Sequence, residues 1–359
     1  MKKILIGICG IGNGHLNRQI CVINELKSKG FEVLAATSID KVSVIKKKCN
    51  IDVLPIIIPW IVCDKNGVNF KDTLEKYCLS TQDRFKNFLE FSIAVEKYFN
   101  GKPDLVITDY EPNVAEYAYA SNLKLITMEQ QSKFLYLENI EINDFSINEE
   151  INRINYFFPK YDMKIISSFF PINIKKNNVV VVPPIINELE KRNKEDNKVL
   201  VYFSSYSFSI KYFEILNTIK EFNDYKFIVY TKENIDIFKK YLNYPNIKFV
   251  NFNDSFKNDL LSSAFLITTS GHQLLSEAIS IDLPIITIPL DTYEQNYNAL
   301  MIEKYKLGMK CKEFTYEVLK EFLENRFYFI NNIRDFKNKY YKNNWQEIVI
   351  EKVSSVIDE

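Results

Sequence analysis

The chain is poor in glycine and almost devoid of histidine, with nine of the first and two of the second among 359 residues. Its six cysteines (Cys9, Cys21, Cys49, Cys63, Cys78 and Cys311) are scattered, with no Cys-x-x-Cys pair. That spacing excludes a zinc-ribbon or dithiol redox motif and reads as reduced, mostly buried thiols in a cytoplasmic protein. There is no excess of either charge, 46 basic residues standing against 46 acidic ones, which argues against a nucleic-acid groove. No apolar run approaches 18 residues, so no segment is expected to span a membrane. No basic amphipathic helix is evident either, so membrane contact is at most peripheral. The opening "MKKILIGICGIGNGH" starts like a signal peptide, but its apolar run is short and breaks into glycines instead of a cleavage site.

What is present is alternation. Short apolar runs at Lys3–Cys9, Phe31–Ala36, Val53–Ile58, Leu105–Thr108, Leu123–Thr127 and Lys164–Ser167 read as buried strands, and Leu16–Lys29 and Thr73–Tyr98 read as helices between them. A second series follows at Lys198–Phe203, Lys226–Tyr230, Ile247–Val250, Phe265–Thr268 and Pro284–Ile288, with helices such as Lys211–Phe222 and Gln273–Ser280. Continuous apolar strands alternating with helices imply parallel sheets covered on both faces. "VVVVPPIINELEKRNKEDNK" separates the two series and reads as a linker. The expectation is α/β architecture: two doubly wound Rossmann-like domains facing across a cleft, residues 1–182 and 183–340, with a helical tail at 341–359. Ligands then sit beyond the carboxyl ends of the strands.

Four of the nine glycines and one of the two histidines fall within residues 7–15, in "GICGIGNGH". Gly10, Gly12 and Gly14 follow the first strand and open the next helix, where glycine permits left-handed turns and close approach to a ligand. A tight strand-to-helix turn with no ligand would use the same residues. The spacing fits neither a dinucleotide fingerprint, which needs glycine at His15 or Asn17, nor a P-loop. His15 at the helix start is a candidate base, because the helix dipole disfavours the imidazolium there. A structural hydrogen bond is the plainer role for it.

The other histidine lies in "TTSGHQLLSEAISIDLPIITIPLDTYEQNYNA". Thr269, Ser270 and Gly271 make a turn after a buried strand, and the helix from His272 aims free N–H groups at the same place, a pattern suited to an anion. Glu277, Asp291, Glu294, Gln295 and Asn298 follow at two adjacent strand ends and suit the hydroxyls of a sugar. Any one of them alone would read as a solvated helix start.

Taken together, "SGHQLLSEA", "LPIITIPL" and "YEQNYNA" resemble the donor-site signature of GT-B nucleotide-sugar glycosyltransferases, in the branch related to the peptidoglycan GlcNAc-transferase and bacterial UDP-glycosyltransferases. "GIGNGHLNR" and "PDLVITDYEP" resemble the acceptor-side loop and middle strand of the same group, in the right order from about Lys3 to Gly308. The resemblance implies an inverting transferase that moves a sugar, probably from a UDP-sugar, to a hydroxyl of a small-molecule, lipid or glycan acceptor. It also implies no cofactor beyond the nucleotide-sugar itself, and a C-terminal helix at 341–359 that crosses back to the first domain. His15 would be the base and Asp109 its orienting carboxylate, with Glu111 a second candidate; Gly12, Asn13 and Gly14 would form the acceptor-side loop. Glu277 would hold the ribose, Glu294 and Gln295 the donor sugar, and Ser270, Gly271 and His272 the diphosphate. Many relatives carry His-Gly-Gly where this chain has Thr269–Ser270–Gly271, so a threonine stands in place of the usual phosphate-contacting histidine. Ser204 and Ser205 match a small-residue loop near the phosphates, and Phe256 falls near the base. Asp-x-Asp, the metal-holding pair of sugar transferases of the other common fold, occurs nowhere in the chain. The alternatives are a nucleotide-sugar hydrolase, for which Arg18 completes a Gly-His-x-x-Arg spacing, an epimerase on the same scaffold, or a non-catalytic sensor of sugar nucleotides.

Overall fold

A computed structural model describes the chain except for residues 57–61, 65–66, 70–80, 138–145, 188, 190–193, 204–209, 232–233, 254 and 291. The chain divides into two compact units, one of Met1–Val62, Phe70–Asn187 and Asn343–Glu359, the other of Cys63–Asn69 and Glu188–Lys342.

The first unit is built on seven strands. These are β1 (Lys3–Ile8), β2 (Glu32–Ser38), β3 (Val53–Ile56), β6 (Leu105–Asp109), β7 (Leu125–Glu129), β8 (Met163–Ser167) and β9 (Val179–Val182). They lie side by side in the order β3-β2-β1-β6-β7-β8-β9, and their pairings are parallel. Two short strands, β4 (Val62–Asp64) and β5 (Gly67–Asn69), form a separate ribbon. Both faces of the large sheet are covered, which is why its strands are apolar throughout and not alternating: Ile4, Leu5, Ile6 and Ile8 of β1 are all buried. Helices α1 (Gly14–Ser28), α2 (Ile39–Cys49), α3 (Thr81–Phe99), α4 (Pro112–Ala120) and α5 (Ser146–Phe157) connect the strands.

The valine run at 179–182, expected as part of the linker, is instead the edge strand of this sheet. Four β-branched residues in succession suit a pleated ladder better than a solvated connection. Of the helix expected at Thr73–Tyr98, the part from Thr81 onward is observed and the rest lies outside the described residues, as do Ile57 and Ile58 of the expected third strand. The C-terminal helix α11 (Trp345–Asp358) packs its buried Trp345, Val349, Val353 and Val356 into the same core as Leu16, Ile20 and Ile23 of α1, and the Trp345 indole donates to Ile186 O at 3.3 Å.

The second unit repeats the plan with six strands, β10 (Lys198–Tyr202), β11 (Lys226–Thr231), β12 (Ile247–Asn251), β13 (Phe265–Thr268), β14 (Ile285–Thr287) and β15 (Gly308–Lys310), in the parallel order β12-β11-β10-β13-β14-β15. Its helices are α6 (Ile210–Ile219), α7 (Phe256–Ser262), α8 (His272–Ser280), α9 (Tyr293–Lys304) and α10 (Tyr316–Tyr340). Each sheet reverses its winding direction once, between β1 and β6 in the first and between β10 and β13 in the second. Those reversals open a crevice at the strands' carboxyl ends. The register aligns the ends: Ile8 pairs with Asp109 and Tyr202 with Thr268.

Candidate active site

At the first reversal point, the loop after β1 turns into α1 through Gly12, whose φ of +67° few other residues adopt cheaply. Gly7 has a different task. A Cβ there would lie 2.6 Å from that of Val114, so the glycine lets α4 approach β1 closely. Asn13 occupies the N-cap position without capping the helix; its side-chain oxygen accepts from Lys41 Nζ at 3.3 Å.

His15, Arg18 and Gln19 stand three and four residues apart on α1 and therefore share a face. That face meets Asp109 at the end of β6. His15 Nδ1 lies 2.6 Å from Asp109 Oδ1. Arg18 donates from Nη2 to Oδ1 at 2.7 Å and from Nε to Oδ2 at 2.9 Å, and Gln19 Nε2 donates to Oδ2 at 2.9 Å. Asp109 and Arg18 are buried, while the His15 side chain stays 12% exposed. Burial alone would raise the Asp109 carboxyl; the Arg18 guanidinium, followed by His15, outweighs it and holds that carboxyl below its ordinary value. An anionic oxygen 2.6 Å from Nδ1 requires a proton on that nitrogen. The imidazole lone pair is thereby left on Nε2. Arg18 Nη2 also lies 3.0 Å from Nδ1, because both groups converge on Oδ1.

Two further residues complete this cluster, and the sequence singled out neither of them, nor Gln19. Tyr110 has φ 56°, an uncommon conformation for an aromatic residue and a mark of local constraint. Its ring stacks on His15 at 6.1 Å between centroids, and its hydroxyl donates to Glu150 Oε1 at 2.6 Å. Gln131, at the turn after β7, places its amide nitrogen 3.2 Å from His15 Nε2. Glu111 serves elsewhere. Its carboxylate accepts from the backbone N–H of Asn113 at 3.1 Å and of Val114 at 2.7 Å and caps α4. Burial pushes that carboxyl above its ordinary value.

At the second reversal point, β13 runs into Thr269, Ser270 and Gly271, and α8 begins at His272 with no side-chain cap on its first turn. The Gln295 carbonyl accepts from Ser270 N and from Leu290 N, both at 3.1 Å. Asn298 Nδ2 donates to Ser270 O at 2.9 Å. Gln295 and Asn298 thus stitch the two strand-end loops together, leaving the Gln295 amide nitrogen free of both contacts. Thr268 Oγ1 and Ser270 Oγ are buried with no hydrogen-bond partner among the described residues. His272 is buried at the first position of α8. Glu277, one and a half turns on, accepts from Gln273 Nε2 at 3.2 Å, and burial raises its carboxyl. Glu294 lies in the first turn of α9. Phe256 packs with Tyr202 and Phe252 at 5.3 and 4.9 Å, and the Phe252 ring is 41% exposed. Ser204, Ser205 and Asp291 lie outside the described residues.

A profile of the family described as Glycosyl transferase family 1 matches residues 2–326. The chain belongs to that family. No curated protein matches it in sequence. Solved structures that share its fold include a UDP-glucosyltransferase from Polygonum tinctorium capable of glucosylating indoxyl, at TM-score 0.73 and 14% identity over 100% of this chain and 99% of the other. The spinosyn forosaminyltransferase SpnP is similar at TM-score 0.69 and 12% identity over 100% of both chains. The glycosyltransferase VinC, solved with dTDP, is similar at TM-score 0.65 and 14% identity over 99% of both. The two units are accordingly the Rossmann-like halves of a GT-B glycosyltransferase, and the enzyme transfers sugar. Among the described residues no helix of the transferase is long and apolar enough to cross a membrane.

Proposed function

We propose that the transferase is inverting and metal-independent, and that it takes its sugar from a nucleoside-diphosphate donor, a UDP-sugar first, and delivers it to the hydroxyl of a small-molecule, lipid or glycan acceptor. The contact that carries this reading is His15 Nδ1 to buried Asp109 at 2.6 Å. Asp109 holds the Nδ1–H tautomer, so Nε2 takes the proton of the acceptor hydroxyl while its oxygen attacks the anomeric carbon. Asp109 remains an anion throughout, saturated by Arg18 and Gln19. One displacement from the face opposite the leaving diphosphate inverts the anomeric configuration. The uncapped start of α8 and the buried hydroxyls of Thr268 and Ser270 offer donors to the departing diphosphate. Glu277 would take the ribose, and Glu294 with the Gln295 amide would take the sugar. The Phe252–Phe256 pair offers a ring face to the base. The lack of Asp-x-Asp supports metal independence, and the neighbouring structures named for UDP-glucose transfer and for bound dTDP support a nucleoside diphosphate.

A thermal-shift panel of UDP, dTDP and GDP identifies the nucleotide through binding linkage. Transfer assays with the matching sugar follow, with the product anomer read by NMR. Retention of configuration, or full turnover by His15→Ala, would overturn the mechanism. Donor consumption that needs no acceptor would favour a hydrolase.

A further inference from the structure

We propose that Gln131 guards the His15 base nitrogen, occupying its lone pair until an acceptor displaces it, and so suppresses hydrolysis of the donor. This rests on the transferase reading above. Asp109 fixes the proton on Nδ1, so Nε2 faces Gln131 as an acceptor. At 3.2 Å only the amide N–H₂ end of Gln131 is compatible with that lone pair. The opposite end of the same amide, Oε1, is buried with no hydrogen-bond partner among the described residues. The amide is therefore held with its nitrogen toward His15 even though its carbonyl gains nothing from that placement.

The turn bearing Gln131 is fixed from below. Glu129 accepts from Ser132 N at 2.8 Å and from Ser132 Oγ at 2.6 Å. Lys164, wholly buried, donates to Ser132 Oγ at 2.8 Å and Thr127 Oγ1 at 2.9 Å, and its ammonium lies 3.7 Å from Glu129. Such a lock keeps the 3₁₀ turn Gln131–Leu135 in one arrangement.

An imidazole nitrogen has one lone pair. A water that takes it exchanges one hydrogen bond for another and strands a buried amide, with no net gain. An acceptor brings its remaining contacts to offset that loss. In the reaction so restrained, the water O–H proton passes to His15 Nε2, the water oxygen bonds to the anomeric carbon, and the bond from that carbon to the diphosphate oxygen breaks, releasing nucleoside diphosphate. Gln131 acts through its contact with His15 Nε2. It is a positioning residue that discriminates alcohol from water.

The test compares wild type with Gln131→Leu, which keeps the volume but removes the donor, and with Gln131→Ala in case the first does not fold. The first readout is the ¹⁵N signal of the His15 ring in the ligand-free protein, assigned by its loss in His15→Ala; with two histidines in the chain the spectrum is simple. The expected result is that Nε2 moves toward the value of a non-bonded nitrogen in the variants while Nδ1 stays put. The second is nucleoside-diphosphate release from UDP-glucose, dTDP-glucose or GDP-mannose without acceptor, expected to rise roughly three- to tenfold, the loss of one hydrogen bond. An unmoved Nε2 signal overturns the inference, and so does a moved signal without faster release from a donor that binds. Failure of every nucleotide-sugar to bind either protein counts instead against the transferase reading, because the ring signal reports the contact independently.

Discussion

Arg18 grips Asp109 with two nitrogens, Nε on Oδ2 at 2.9 Å and Nη2 on Oδ1 at 2.7 Å, and both side chains are buried. In an Asp–His pair without such a cation, the carboxylate charge acts on the imidazole alone. Here a guanidinium shares it, so Asp109 orients His15 and fixes its tautomer more than it adds negative charge to the site.

That ion pair has a consequence for acid stability. Asp109 is held below its unfolded value, which lies near ~3.9. A depressed carboxyl stabilises the fold above its unfolded pKa, and the contribution fades as pH falls from about 4 toward the lower folded value. Arg18→Leu leaves a buried carboxylate without its cation, expected to cost about 3–5 kcal/mol at neutral pH. Burial then raises Asp109, so acidification from about pH 6 to 4 should narrow the gap between variant and wild type. Urea unfolding at several pH values measures this; a gap that widens on acidification contradicts the assignment.

Asp109→Asn preserves shape but removes the anion that demands a proton on Nδ1. The ring is then free to adopt the other tautomer, with its lone pair turned away from the acceptor. Transfer should fall by about 10²- to 10⁴-fold with the nucleotide thermal shift unchanged. Equal loss of nucleotide binding would place Asp109 in a structural role only.

Glu111 gives the contrasting result. It lies two residues from Asp109 and was a rival for the same task by position. Its carboxylate caps α4, so Glu111→Ala should cost about 0.5–2 kcal/mol of stability and leave transfer per folded molecule within about twofold. A kcat loss comparable to that of Asp109→Asn, measured on folded protein, would reassign it.

The strand series and the parallel winding could be read from the sequence because they depend on local patterns, the continuous apolar runs between helices; the pairing of His15 with Asp109, 94 residues apart, came from the family resemblance and not from any local pattern. Arg18 and Gln19 were accessible by helical spacing from His15. Gln131 was not. It reaches the site from the strand next to β6, 116 residues from His15, and "EQQSK" has no local feature that separates it from a polar turn. Tyr110 was hidden for a related reason, since its left-handed backbone is imposed by the turn between Asp109 and α4 and is unexpected for tyrosine. Val179–Val182 was lost to the linker because Pro183–Pro184 and the charged run after it dominate the composition of that window.

Gln295 separates architecture from binding within one side chain. Its carbonyl accepts from Ser270 N and Leu290 N, and its amide nitrogen is the group proposed to meet the donor sugar. Gln295→Glu keeps an acceptor for both backbone N–H groups and loses the N–H₂ donor. Its stability should stay close to wild type, while affinity for the nucleotide-sugar falls by roughly tenfold, about one hydrogen bond to a polar ligand. Affinity for the free nucleotide, which lacks the sugar, should fall less, by the repulsion of the new carboxylate for the diphosphate alone. Gln295→Leu strands two backbone donors and should cost about 2–6 kcal/mol of stability, about 1–3 for each, beside the same loss of sugar binding. Calorimetry of both variants with UDP and UDP-glucose, beside their urea midpoints, tests the division. Loss of UDP and UDP-glucose affinity in equal measure by both variants would show that the amide makes no contact with the sugar, which would then rest on Glu294 alone.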